Sequence, residues 1–236
     1  MRLRCLGDSH INVMSYLAEK GLLCGIGIEV LMVPGATNMG LANPNSKTNA
    51  LNLFNDFIDQ AKPEDILVFC LGEVDCGFVI WWRAEKLGTP VSEQFELSLG
   101  NYKKLLKRAS QKVRGVIVLS APLPTIMDGQ DWGEIANLRR EVQTPKIERT
   151  QLTITYNKKL KAFCKRNGFS FVDMVPRTLD ASTGLVDERF LNPDPCDHHL
   201  NNDVQCPIMA RLIKRCIARI TARSGCPAQP RDQAGC

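Results

Sequence analysis

The stretch from Asp65 to Leu71 (DILVFCL) is almost unbroken apolar residues, and Gly115 to Leu119 (GVIVL) repeats the pattern. Strands without polar alternation are buried on both faces, the signature of a parallel sheet covered by helices on either side. Three further runs, Arg2 to Leu6, Ile26 to Val33 and Phe169 to Asp173, also read as strands. Between them lie segments of helical spacing. Ile11 to Lys20 puts Val13, Met14 and Leu17 on one face, and Asn49 to Ala61 places Leu51, Leu53, Phe54, Phe57 and Ile58 likewise. Ser92 to Val113, Thr150 to Asn167 and Asn201 to Arg223 complete the set. Five strands alternating with helices predict an α/β protein, a three-layer α/β/α sandwich with right-handed crossovers; a barrel would need eight repeats. A length of 236 residues suits a single domain, expected over residues 1–224. Met127 to Pro145 reads as an inserted loop or short helix, and residues 225–236 as a disordered tail.

Composition removes several function classes. With 30 basic against 25 acidic side chains, the net charge of +5 is too small and too dispersed for a dedicated nucleic-acid binder. No apolar run reaches the roughly 18 residues of a membrane span. The N-terminus, with charges flanking Leu3, lacks the apolar core of a signal peptide. The ten cysteines include no C-x-x-C pair, which disfavours zinc ribbons and redox dithiols. They are expected to be mostly reduced thiols of a cytoplasmic protein. The nearly regular spacing from Cys196 to Cys236 has no physical account.

A doubly wound sheet places ligand sites at the carboxyl ends of its strands. Leu6-Gly7-Asp8-Ser9-His10 stands at one such end, in a strand–turn–helix context. A serine there projects its hydroxyl over the sheet edge, beside amide donors suited to an oxyanion. A simple helix cap would use the same residue type. A serine nucleophile needs a base, and the base needs an orienting carboxylate. Of the three histidines in the chain, two stand in one acidic loop, Asp194-Pro195-Cys196-Asp197-His198-His199-Leu200-Asn201.

These segments resemble the SGNH hydrolases, the GDSL esterase and lipase family. Gly7-Asp8-Ser9-His10 is similar to the family's first block, with Ser9 as nucleophile. Gly35-Ala36-Thr37 resembles the second, whose glycine amide joins that of Ser9 in the oxyanion hole, and Asp197-His198-His199-Leu200-Asn201 the last. The resemblance implies a flavodoxin-like five-stranded parallel sheet and hydrolysis without a metal or other cofactor. Two features depart from it. The third block, Gly-x-Asn-Asp in the family, reads Gly72-Glu73-Val74-Asp75, and valine donates nothing. Asn38 is one candidate to replace that donor. The family's aspartate stands three residues before its histidine, where this chain has Cys196. Either Asp197, two residues away as in an extended segment, or Asp194, around a Pro195-Cys196 turn, can orient His199.

Other residues near the strand ends are candidates for the substrate pocket: His10, Asn38, Glu73, Asp75 and Trp81. Trp81 and Trp82 could stack on a sugar or acyl group, or pack beneath a loop. The stripe Leu212, Ile213, Cys216, Ile217 and Ile220 reads as a helix covering the sheet, with a membrane surface as the alternative. The expected function is a serine esterase acting on a small acyl ester or an O-acetylated carbohydrate through an acyl-enzyme. A non-catalytic binding module of the same fold is one alternative. A metallophosphoesterase, suggested by Asp8-x-His10, is the other.

Overall fold

The computed structural model describes residues 1–129 and 142–224. The expected tail and most of the expected insert lie outside them. The five strands are β1 (Arg2–Gly7), β2 (Gly27–Met32), β3 (Ile66–Cys70), β4 (Gly115–Leu119) and β5 (Ser170–Val172). All are parallel, in the order β2-β1-β3-β4-β5. The chain moves outward from β1 to β2, then crosses to β3 on the other side. The winding reverses between β1 and β3, and their carboxyl ends flank the crevice where such sheets bind ligands.

Period-two alternation divides β3 between two cores. Ile66, Val68 and Cys70 join a cluster with Met14, Leu17, Met209, Ile213 and Ile217, from helices α1 (Val13–Glu19) and α7 (Asn202–Ser224). Leu67, Phe69 and Leu71 join Phe54, Leu99, Tyr102, Tyr156 and Leu160, from α2 (Ala50–Asp59), α4 (Val91–Ser110) and α5 (Lys146–Arg166). Each face of the strand thus meets an apolar layer, which is why the strand tolerates no polar position. In α7, Ile213, Cys216 and Ile217 are buried, and Leu212 and Ile220 pack against the same cluster. The stripe covers the sheet, and the membrane-surface reading falls. Among the described residues no helix is long and apolar enough to cross a membrane.

Three local features differ from expectation. The first helix is preceded by a 3-10 turn over Ser9–Asn12. A π-helical turn, Asp75–Val79, leads into an unanticipated helix α3 (Ile80–Leu87). Helix α5 starts four residues before the expected Thr150, at Lys146. Its buried Thr150 and Thr153 return their hydroxyls to the carbonyls of Lys146 and Arg149, both 2.8 Å away. Polar residues therefore sit in its buried face and hide the helical period. Beyond β5 the chain forms the short helix α6 (Val175–Thr178) before the loop that enters α7.

Candidate active site

Gly7 determines where the nucleophile candidate stands. A Cβ on Gly7 would lie 2.0 Å from the carbonyl oxygen of Cys70, so no side chain fits while β1 and β3 remain paired. The Asp8 amide donates to that carbonyl at 3.2 Å, and the Val33 amide donates to the Gly7 carbonyl at 2.9 Å. Three strand ends are tied together at this residue. The chain then turns: Asp8 is buried, and its Oδ1 accepts the His10 amide at 2.9 Å, capping the turn that begins at Ser9. This Asx geometry fixes the backbone from which the Ser9 side chain projects.

The loop before α7 completes the arrangement. Asp194 Oδ1 accepts the Cys196 amide at 2.9 Å, while the Asp194 carbonyl accepts the Asp197 amide at 3.1 Å, closing a turn around Pro195. Asp197 Oδ1 then accepts both the amide of His199 at 2.9 Å and its Nδ1–H at 2.5 Å. Asn192 donates to the other oxygen of Asp197 at 2.8 Å. With Nδ1 protonated toward the carboxylate, Nε2 of the neutral ring carries the lone pair. That Nε2 lies 2.9 Å from Ser9 Oγ. Thr125 anchors the same loop through the His198 carbonyl at 2.5 Å. Asp194, confined to its turn, is not the partner of His199.

The electrostatics favour a neutral base. Burial pushes the His199 pKa below its ordinary 6.5, neighbouring His10 acts in the same direction, and Asp197 opposes them only in part. Burial raises the Asp197 carboxyl, but the hydrogen bonds from the His199 amide and ring outweigh it and hold it below its ordinary value. Cys70, the other nucleophilic atom type nearby, is buried, and its thiol is pushed well above its ordinary pKa by burial and by the Asp8 and Glu73 carboxylates. It stays protonated, which leaves Ser9 as the nucleophile candidate.

No protein-family model and no curated protein sequence matches the chain. Solved structures do match it. A GDSL-like lipase from Bacteroides thetaiotaomicron superposes with a TM-score of 0.61 at 17% identity, covering 92% of this chain and 88% of that one. A phospholipase A1 from Streptomyces albidoflavus gives a TM-score of 0.54 at 11% identity, over 91% and 98% of the two chains. An acetylxylan esterase from Geobacillus stearothermophilus gives 0.51 at 16% identity, over 93% of each. The chain has the SGNH hydrolase fold. Its five-stranded sheet and strand order are those the sequence resemblance implied.

Within this SGNH fold, a cavity of about 330 Å³ opens beside Ser9 and His199. Its wall is largely apolar, with Val13, Leu119, Met174, Leu200 and Met209 among the lining residues. His10 lines it too, whereas Asn38, Glu73, Asp75 and Trp81 do not. The SGNH third block explains part of that difference. Asp75 is buried and accepts the amides of Asn38 at 2.8 Å and Met39 at 3.2 Å and the Ser98 hydroxyl at 3.0 Å. Burial lifts its pKa to about 6 despite these bonds. The Asn38 side chain donates to Tyr156 at 3.0 Å, and Asn38 is not among the residues lining the cavity. Glu73 is buried, and Val74 is the cap residue just before the π-helical turn. Trp81 Nε1 donates at 2.8 Å to the Cys76 carbonyl of the preceding π-helical turn, and Trp81 does not line the cavity. Gly35 is exposed at a φ of +71° past β2, outside the cavity wall.

Two contributors escaped the sequence. Asn192 steadies Asp197 from five residues upstream, and its only signal was its place in a Pro- and Asp-rich turn. The apolar cavity wall draws on α1, β4 and α7 and on Met174 and Leu200 in the segments between elements.

Proposed function

We propose that this chain is a serine esterase that cleaves carboxylic esters through an acyl-enzyme on Ser9. The observation that carries the reading is the continuous chain of hydrogen bonds from Asp197 through His199 to Ser9 Oγ. Ser9 Oγ attacks the ester carbonyl as its proton passes to His199 Nε2. The tetrahedral oxyanion rests on the Ser9 amide; Gly35, exposed and outside the cavity wall, takes no part in this reading. His199 then returns the proton to the departing alcohol. A water, deprotonated by the same nitrogen, releases the acyl group as a carboxylic acid and restores Ser9. Asp197 holds the productive tautomer throughout. A pure binding module would have no use for a base aligned on a hydroxyl in this way.

On the acyl side, the reading covers small to medium chains, with an O-acetylated carbohydrate as the short limit. An acetyl group would fill little of the roughly 330 Å³ cavity. Each further methylene buried against Leu119, Met174 and Met209 is worth about 0.8 kcal/mol. The test is a series of p-nitrophenyl esters from acetate to octanoate, together with acetylated xylan, in the presence of EDTA. The expected result is kcat/KM rising at least about tenfold between acetate and hexanoate. An optimum at acetate together with turnover of acetylxylan would restrict the enzyme to acetyl groups. Failure to hydrolyse any ester, with no fluorophosphonate labelling of Ser9, would remove the esterase reading altogether.

The pH profile is a second check. A lowered His199 pKa keeps the ring neutral, and so able to accept a proton, at pH values where an ordinary histidine is charged. The acid limb of kcat/KM is therefore expected to have its midpoint below 6.5, the unperturbed histidine value that the sequence alone suggests. A midpoint at or above 6.5 would contradict this assignment of the limb to His199.

A further inference from the structure

The chain contains three histidines, at positions 10, 198 and 199, and the fold brings all three together. The ring centroids of His198 and His199 are 4.2 Å apart, those of His10 and His199 4.6 Å, and those of His10 and His198 5.5 Å. One ring nitrogen from each lies within 4.8 Å of the other two. The esterase reading uses only one of them.

Two of the three are built alike. Asp8-Ser9-His10 and Asp197-His198-His199 are both Asp-x-His, and in both the aspartate Oδ1 accepts the amide of the histidine two residues on, at 2.9 Å in each. The same oxygen faces that histidine's Nδ1, at 3.2 Å for His10 and 2.5 Å for His199. A carboxylate behind Nδ1 fixes the ring and leaves Nε2 as the coordinating atom, the arrangement typical of metal-ligating histidines. Three nitrogens around tetrahedral zinc at about 2.0–2.1 Å stand roughly 3.4 Å apart, so ring rotations of about an ångström suffice to close the set. Imidazole is a ligand type well suited to zinc.

We propose that His10, His198 and His199 form a binding site for one zinc ion, and that the ion switches the esterase off. Zinc takes the lone pair of His199 Nε2, the pair that must accept the Ser9 proton, and no covalent bond is made or broken. The inhibitory half of the proposal rests on the esterase reading, whereas the binding half stands on the three rings alone.

The experiment titrates the metal-free full chain with zinc chloride against a chromogenic zinc indicator, with ester hydrolysis followed in parallel. Cys24, Cys196, Cys226 and Cys236 are changed to serine in a control background so that thiolates are removed as competing ligands. One zinc per chain is expected in both backgrounds. His198→Gln should weaken binding at least tenfold, as should His10→Gln; His198 is only half-buried, so its variant keeps the test readable if His10→Gln fails to fold. Zinc should inhibit hydrolysis reversibly with EDTA, and His198→Gln should hydrolyse ester in metal-free buffer yet resist zinc. No binding below about 100 μM zinc, or binding that survives His198→Gln, would overturn the site. Stoichiometric binding that leaves hydrolysis untouched would overturn the inhibition. A chain that binds zinc at these histidines but hydrolyses no ester would sustain the site while refuting the esterase reading.

Discussion

Ser9→Ala is expected to lower kcat/KM for p-nitrophenyl esters by about a thousandfold to a millionfold, while the melting temperature stays within about 2 °C of the parent. The loss follows from chemistry, since the 2.9 Å contact with His199 Nε2 involves the only atom that the substitution deletes. The backbone around it is held by other groups: Gly7 against Cys70, and the Asp8 carboxylate on the His10 amide. None of these needs the hydroxyl. Substitutions of partly exposed side chains with no packing role usually change stability by less than about 0.5 kcal/mol. Retention of most of the activity, or a cooperative loss of fold, would exclude Ser9 as the nucleophile.

His199→Asn should match Ser9→Ala in severity, and the double variant should be no worse than either single one, because both residues serve the same proton transfer. Asp197→Asn is expected to cost between about a hundredfold and ten-thousandfold. The upper figure applies where an amide traps the base in the wrong tautomer. The range is wide because Asp197 is only partly buried, with its side chain 39% exposed, so water can substitute for some of its effect. Asp194→Asn should remain within about threefold of the parent, its carboxylate doing no more than hold the Cys196 amide. Steady-state kinetics on the four variants decide the matter. Equal losses at Asp194 and Asp197 would mean that the loop, and not a particular carboxylate, is what the base depends on.

Much of this was readable before any coordinates. The unbroken apolar run of β3 forces a sheet covered on both sides, strand ends and helix starts bring out the Ser9 turn and the histidine loop, and the family resemblance singles out Ser9 and His199 within them. The choice between Asp194 and Asp197 was not readable, because it turns on a local conformation. Period-two reasoning favoured Asp197 for an extended segment. The structure instead makes an Asx turn, in which Asp197 Oδ1 holds the His199 amide and ring together. The misreadings share a cause. Asn38, Asp75 and Trp81 stand beside strand ends in sequence, yet Asn38 Nδ2, the Asp75 carboxylate and Trp81 Nε1 are engaged by Tyr156, by the loop amides and by the Cys76 carbonyl. Proximity along the chain shows which end of the sheet a residue serves, but hydrogen-bond competition decides which way it faces.

The hydrogen bond between Ser9 and His199 joins residues 190 positions apart. Ser9 stands just past β1 and His199 just before α7, so most of the fold lies between them. Until α7 is in place, Ser9 has no His199 beside it. The base arrives only when the last helix docks against α1, and undocking of that helix alone would separate the two again. In the proposed esterase, hydrolytic turnover would report on whether α1 and α7 are docked, and it would fade with the fraying of α7 before the central strands opened.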